Sequence, residues 1–162
     1  RRFDETLDQQ WRACERDRAA LSLIILDVDF FKDYNDHCGH LMGDQCLKTI
    51  AQALAVTVRR PTDLLARFGG EEFACILPRT DGAGALNRAQ QLLKVVCDLK
   101  IEHLTSRVSP VVTISAGAAT LTPDRFKTVF ELISLADKAL YRAKEGGRNQ
   151  VQVIIGPEPP ET

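Results

Sequence analysis

Carboxylates stand next to two apolar, strand-like runs of this sequence, at positions where carboxylates are normally avoided. They are Asp27 and Asp29 at the end of the run Leu21–Val28, and Glu71 and Glu72 at the start of the run Glu72–Leu77. If the two strands are neighbours, Asp27 and Glu71 converge at one end of a sheet. Hard divalent cations prefer oxygen ligands, and Mg²⁺ typically takes one or two carboxylates together with substrate phosphates. For either residue alone, a helix cap at Asp27 or a solvated turn at Glu71 stays an open alternative.

Basic residues at three positions could neutralise phosphate groups. Lys32 follows Asp29 by three residues, and Lys144 and Arg148 bracket Glu145–Gly147 at a predicted helix end. Cations also stabilise a helix C-terminus through the helix dipole. A phosphate-binding role and a purely structural role therefore both stay open for Lys144 and Arg148.

The spacing of apolar residues predicts the elements that must position these side chains. It predicts helices over 3–19, 44–59, 86–97 and 126–144, strands over 21–28, 64–68, 72–77, 111–119 and 151–155, and a loop with a short helix over 30–43. Gly69-Gly70 is expected to form a two-residue turn, because such a turn needs positive φ. In the last helix we expect Phe130, Ile133, Ala136 and Leu140 to face the core. The order α-β-α-β-β-α-β-α-β predicts one mixed sheet covered by helices.

Composition describes an ordinary globular domain. The 162 residues are 44% hydrophobic and 27% charged with a net charge of −1, which does not favour binding of a nucleic acid or direct contact with a membrane. The five cysteines include no CxxC pair, which predicts reduced, mostly core thiols and a cytoplasmic location. The chain begins without Met in the middle of a helical pattern, so we expect it to be a piece of a longer protein.

Three ordered motif blocks cover nearly the whole chain. They are DVDFFKDYNDHCGHLMGD from Asp27 to Asp44, RFGGEEF from Arg67 to Phe73, and DKALYRAK followed by GRN from Asp137 to Asn149. Together they resemble the motifs of the GGDEF family of diguanylate cyclases, in its GGEEF variant. A bare GGEEF would be weak support, whereas the ordered set is specific. P-loop and Rossmann modules are disfavoured because neither glycine-rich pattern is present.

The resemblance implies both a fold and a reaction. The implied fold is α+β, ferredoxin-like and similar to nucleotide cyclases and polymerase palm domains, with a mixed, mostly antiparallel five-stranded sheet flanked by helices. Residues 1–155 would be the GGDEF catalytic domain, without its N-terminal signalling region, and the Pro-rich segment 156–162 a flexible tail. The implied reaction condenses two GTP into cyclic di-GMP and two pyrophosphates, with one GTP half-site per subunit of a homodimer controlled by an upstream sensory domain. The alternative is a catalytically inactive GGDEF domain that binds GTP or cyclic di-GMP and transmits a signal.

The resemblance also implies roles for individual residues. Two Mg²⁺ ions per half-site, for which Mn²⁺ can substitute, would be held by Asp27, the Val28 carbonyl and Glu71. The catalytic set would be Glu71, Glu72 and Lys32. The substrate-binding set would comprise Asn35 and Asp44 on guanine, Gly69 and Gly70 with Lys144 and Arg148 on the phosphates, and His40. Asp44 as a helix N-cap and His40 as a structural residue are the alternatives.

A second ligand site is implied by Arg60-Pro-Thr-Asp63, which resembles the RxxD element where the family binds its product as an inhibitor. Arginine suits such a site because its fork meets guanine or phosphate with two hydrogen bonds. The aligned position for a second arginine holds Gln91, and Arg88 lies one turn earlier. Weaker product inhibition is therefore expected. His37 and His103 are interpreted as surface residues.

Overall fold

The computed structural model describes residues 2–122 and 128–156. In this part the elements are α1 (Arg2–Asp17), β1 (Leu21–Val28), α2 (Phe31–Cys38), α3 (His40–Thr57), β2 (Leu64–Gly69), β3 (Glu72–Pro78), α4 (Gly82–Asp98), β4 (Ile114–Leu121), α5 (Val129–Glu145) and β5 (Val151–Gly156). The predicted helix start at Phe126 and residues 157–162 of the predicted tail lie outside the described residues. Gly156, expected to begin the tail, is instead the buried last residue of β5.

One five-stranded sheet has the order β2-β3-β1-β4-β5. Strand β1 is central and pairs antiparallel with β3 and β4, β2 pairs antiparallel with β3, and β5 joins β4 in parallel. Every residue of β1 is buried, as a continuous apolar strand requires when both faces of the sheet are covered. The predicted mixed, mostly antiparallel sheet flanked by helices is confirmed.

Helices cover the two faces unequally. Helices α2, α3 and α4 pack on one face around Ile24 and Leu26, and α1 and α5 pack on the other around Leu23 and Ile25. Successive residues of β1 point to opposite faces, so one strand supplies both layers of the core. In the described residues, no helix is long and apolar enough to cross a membrane.

The start of the second long helix differs from the prediction. Helix α3 begins at His40 instead of Asp44, and Gly39, with φ of 89°, separates it from α2. Asp44 therefore lies inside α3, and the alternative of an N-cap at Asp44 is wrong. Strand β4 begins at Ile114, since Val111 forms only an isolated bridge with Glu102.

Burial corrects two side-chain predictions. Phe130 was expected to face the core, but it is 76% exposed, whereas Ala136 and Leu140 are buried as predicted, together with Leu132 and Ala139. His103 was expected at the surface, but it is 2% exposed and its ring lies edge-on to Tyr34. Of the cysteines, Cys14, Cys46 and Cys75 are buried while Cys38 is exposed, and all five are unpaired.

Candidate active site

Neighbouring strands place the acidic residues at one end of the sheet. In the β1–β3 ladder, Asp27 lies opposite Glu72. The Val28 N–H donates to the Glu71 carbonyl over 3.3 Å, which ties the end of β1 to the turn before β3. The convergence expected of the two acidic runs follows directly from this register.

The charge of Asp27 is partly balanced inside the fold. Asp27 is 8% exposed, and its carboxylate forms an ion pair with Lys144, which comes from the end of α5. Burial raises the pKa of Asp27, the Lys144 ammonium opposes that rise, and the neighbouring Glu71 adds to it. Burial likewise raises the pKa of Glu72, with Asp27 as the next contributor. A further positive charge here would be stabilised by both carboxylates.

The donor set fits a divalent cation that shares its coordination with a substrate. Asp27, Val28 and Glu71 line one cavity of about 270 Å³, together with Lys144 and Arg148. Among the described residues, no group of three or more His, Cys, Asp or Glu side chains could hold a metal ion by itself. Two carboxylates and a backbone carbonyl must therefore be completed by other oxygens, which is the usual arrangement for Mg²⁺ beside phosphates.

The backbone turn after α5 carries the cations into this cavity. Arg148 and Asn149 both have positive φ, at 63° and 46°. The turn is fixed by Asp29, whose carboxylate accepts from the Asn149 N–H at 3.1 Å and from the Ser115 hydroxyl at 2.6 Å. Asp29 is 1% exposed and lies 4.0 Å from the Arg148 guanidinium. Asp29 thus positions basic residues and does not face the cavity itself.

A second cavity of about 400 Å³ adjoins the first, and Phe31, Lys32 and Glu71 line both. Asn35, His40 and Asp44 also line it. The Asn35 Oδ1 atom is buried and has no hydrogen-bond partner in the described structure. Asp44 is exposed to solvent, so a ligand that binds beside it would remove water from its carboxylate. An unsatisfied buried acceptor beside an exposed carboxylate is suited to a ring that offers hydrogen-bond donors.

Close packing between α2 and α3 presents Asn35 to this cavity. A Cβ atom at Gly43 would lie 1.7 Å from the Asn35 Oδ1 atom. A side chain at position 43 would displace the end of the Asn35 side chain, and glycine leaves that space to Asn35. His40, also on α3, is exposed at the cavity rim.

The hairpin turn is shifted by one residue from the prediction. Gly69 pairs with Glu72 inside the ladder, so the turn residues are Gly70 and Glu71, with φ of 44° at Gly70. The Gly70 carbonyl accepts from the Arg67 Nε–H at 2.8 Å. Apart from the chain neighbours, no atom of residues 2–122 and 128–156 lies within 4 Å of a Cβ built at Gly69 or Gly70. Open space at both positions leaves the backbone accessible to a phosphate.

The RxxD residues meet at a separate place, where α3 leads to β2 beside α4. The Arg60 Nε–H donates to Asp63 Oδ1 at 2.9 Å, and the Arg88 guanidinium lies 3.9 Å from Asp63 Oδ2. Asp63 Oδ2 is buried without a hydrogen bond in the described structure. Arg60, Asp63 and Arg88 line a cavity of about 270 Å³ together with Gln91.

Sequence reasoning placed none of Arg67, Phe30 and His103 in the candidate site, and it interpreted His103 as a surface residue. Arg67 lines the larger cavity and holds the hairpin turn, and its place in RFGGEEF was an available signal. Phe30 and His103 contact each other across 73 positions of the chain. Only the folded structure brings those two residues together.

Comparisons with known proteins agree with this geometry. The family model described as "Diguanylate cyclase, GGDEF domain" matches residues 1–150. The probable diguanylate cyclase DgcT of Escherichia coli K12 is 41% identical over 131 residues, which are 81% of this chain and 28% of that protein. The GGDEF domain of DgcB from Caulobacter crescentus, solved with c-di-GMP, is 32% identical with a TM-score of 0.83, covering 93% of this chain and 87% of that one. The active GGEEF domain of a diguanylate cyclase from Vibrio cholerae is 27% identical with a TM-score of 0.80, covering 93% and 92%.

These solved domains confirm the cyclase-like α+β fold expected from the motifs. Coverage of the curated relatives is partial. The chain spans between 28% and 42% of the length of the first three that it matches.

Proposed function

The chain belongs to the GGDEF family of diguanylate cyclases, and from that premise we propose that it condenses two GTP into cyclic di-GMP with release of two pyrophosphates. The observation that carries the proposal is the convergence of Asp27, Glu71, Lys144 and Arg148 on one cavity that adjoins the cavity of Asn35 and Asp44. One cavity has the chemistry for a metal-bound triphosphate and the other has the chemistry for a base.

Asp27, the Val28 carbonyl and Glu71 would hold Mg²⁺ ions, and Mn²⁺ has the same preference for oxygen ligands. Two ions per half-site is the proposed stoichiometry. Such ions supply Lewis-acid stabilisation of the charge on the reacting phosphate and its leaving pyrophosphate. The chain's own residues bind and orient the substrate. Glu72 lies opposite Asp27 in the ladder and would support the metal-binding carboxylates from the neighbouring strand.

The cations would neutralise the terminal phosphates. Lys32, Lys144 and Arg148 line the smaller cavity from three different elements or turns. The Gly69-Gly70 backbone leaves room for a phosphate at the hairpin. Holding a triphosphate in one orientation aligns its α-phosphate for in-line attack by the ribose hydroxyl of another GTP.

Asn35 and Asp44 would select guanine, with His40 at the rim of the same cavity. The Watson–Crick edge of guanine presents N1–H and N2–H₂ donors, which suit a carboxylate and an amide oxygen. Adenine has an acceptor at N1 and would leave these groups unpaired, at about 1–3 kcal/mol. The Asp44 carboxylate therefore favours a product with two guanines over one with a guanine and an adenine.

The test is product formation from GTP and Mg²⁺ by the wild type and by Glu71→Gln, with nucleotides separated chromatographically. Loss of a metal-binding carboxylate should lower turnover at least about 100-fold. Glu15→Gln is the matched control, because Glu15 is exposed on α1. Undiminished cyclic di-GMP synthesis by Glu71→Gln would contradict the assignment. A wild type that binds GTP and never forms product would favour the inactive signalling module.

We also propose that Arg60, Asp63 and Arg88 bind the product. Arg88 reaches Asp63 from α4 despite Gln91 at the aligned position, and a related domain was solved with c-di-GMP. Arg60→Ala should weaken cyclic di-GMP binding at least about tenfold while GTP turnover persists. Arg59→Ala, a neighbouring exposed arginine, serves as the control. Equal affinity of the two variants for cyclic di-GMP would rule out a product site at Arg60, Asp63 and Arg88.

The remaining context follows from the reaction. Residues 1–155, together with Gly156 at the end of β5, would act as the catalytic domain and 157–162 as a tail, and an upstream sensory domain would bring two copies together in the cytoplasm. Support comes from the partial coverage of longer relatives and from cyclic product chemistry, which joins two nucleotides that each occupy one half-site.

A further inference from the structure

Phe30 separates the acidic end of β1 from α2 in an unusual backbone conformation. Its φ and ψ are 52° and 38°, in the left-handed region. A bulky residue there is strained, and such strain persists only where surrounding contacts impose it. Arg148, with φ of 63°, is a second non-glycine residue in this region. Both line the cavity that we assign to the triphosphate.

The two strained residues are in direct contact. The guanidinium carbon of Arg148 lies 4.6 Å from the centroid of the Phe30 ring. At this distance the ring face attracts the cation. The Arg148 guanidinium also approaches Asp29: its Nη1 atom lies 4.0 Å from the Asp29 Oδ1 atom. The ring and the carboxylate thus restrict the position of a long side chain that is otherwise 32% exposed.

His103 holds the Phe30 backbone from the far side. Its Nε2 atom lies 3.0 Å from the Phe30 carbonyl oxygen. A carbonyl oxygen only accepts, so Nε2 carries the hydrogen and donates it. The same loop brings Arg107 to 5.1 Å from the Phe30 ring, but Arg107 is 77% exposed and lies beside Asp33. Arg148 is the less exposed of the two cations and lines the cavity.

We propose that the Phe30 ring is a platform that positions Arg148 toward the terminal phosphates of the nucleotide, with His103 holding the platform in place. The inference rests on the proposed function, since it concerns how that site binds a triphosphate. Phe30 and His103 are positioning residues, because they act through Arg148. A positioning role predicts an effect on triphosphate binding and none on the base cavity.

The experiment measures binding by calorimetry with Mg²⁺ and two probes, the α,β-methylene analogue of GTP and GMP. In Phe30→Leu the triphosphate analogue should bind about three- to tenfold more weakly, while GMP affinity stays at the wild-type value. Phe30→Tyr keeps the ring face and should bind both probes as the wild type does. Phe130→Leu is the matched control, because Phe130 is 76% exposed on α5.

A double variant tests whether the ring acts through Arg148. Adding Phe30→Leu to Arg148→Ala should cause no further loss of triphosphate affinity. A full additional loss, or equal losses for the analogue and GMP in Phe30→Leu, overturns the inference. Phe30→Gly is a second variant that adopts positive φ without strain, and it should show the same selective loss. A wild type that binds neither probe overturns the proposed function, whereas unchanged probe preference in Phe30→Leu overturns only the platform.

Discussion

Asn35, proposed above to bind guanine, carries an unsatisfied polar atom in the described structure. Its Oδ1 atom is buried without a partner among the described residues, which costs about 1–3 kcal/mol. The atom occupies the space that a Cβ at Gly43 would fill, 1.7 Å from that position. Such unsatisfied atoms persist at sites where a ligand completes them. Stability and binding should therefore respond to Asn35 in opposite directions.

Asn35→Ala removes the unsatisfied acceptor, so we expect the free energy of unfolding to stay equal or rise by up to about 1 kcal/mol. GMP affinity should fall at least about fivefold, because the guanine donors lose an acceptor. Thermal unfolding and calorimetric titration with GMP measure the two effects. Gln90→Ala, at an exposed amide on α4, should change neither. A destabilised Asn35→Ala protein with normal GMP affinity would show that Asn35 serves the fold alone.

Residue chemistry was largely predictable from sequence, because a motif fixes both residue type and spacing. Asp27, Glu71 and Lys144 were singled out before their strands and helix were known to meet. Phe30 and His103 were not, since their contact depends on a loop that crosses from α4 to β4. Long-range hydrogen bonds of this kind leave no local pattern in the sequence.

Element boundaries were predicted less well where ligand-binding residues replace the apolar pattern. Between His40 and Asp44 the helix carries exposed Leu41 and Met42 and the tightly packed Gly43. The first turn of α3 carries no amphipathic repeat. The spacing of apolar residues therefore predicted a helix start only after it, at Asp44. The hairpin turn lies one residue later than predicted, because a bulge between Arg67 and Gly69 brings Gly69 into the ladder.

Helix α5 departed from its predicted face at Phe130, which is 76% exposed, while Ala136 and Leu140 are buried as predicted. Much of its buried side consists of the small residues Ala136, Ala139 and Ala143. These small residues let the helix backbone approach β4 at Gly117. A Cβ atom at Gly117 would lie 2.1 Å from the Leu140 nitrogen and 2.4 Å from the Ala136 carbonyl oxygen. The close approach places Lys144, at the end of the same helix, beside Asp27.

Gly117→Ala should destabilise the fold by about 3 kcal/mol, because the added methyl meets helix backbone that cannot rotate away. For a domain of this size the melting temperature should fall by about 6–12 °C. Gly69→Ala is the matched control, since in the described part of the chain only its own neighbours lie within 4 Å of its Cβ position, and its melting temperature should stay within about 2 °C of the wild-type value. Melting followed by circular dichroism provides the measurement. Similar melting of both variants would mean that α5 and β4 are not packed this closely.

At the scale of the whole molecule, the sheet order determines what one chain can do. The central position of β1 brings the acidic edge, the cations of α5 and the base cavity of α2 and α3 to one end of the sheet. In the described residues this end provides one base cavity and one phosphate cavity. Cyclic di-GMP contains two guanylate units joined by two phosphodiester bonds. If these cavities bind the base and the phosphates as proposed, each chain activates one GTP and two chains must face each other.

Mixing the wild type with Glu71→Gln tests this requirement. At a total protein concentration where the specific activity of the wild type no longer rises, only dimers of two wild-type chains should complete both bonds. Activity should then follow the square of the wild-type fraction, falling to about one quarter when half of the chains are variant. Dilution with an inert protein such as albumin at the same concentration should give a linear decrease. A linear decrease with Glu71→Gln as well would mean that a single chain forms both bonds, and the facing-dimer arrangement would be wrong.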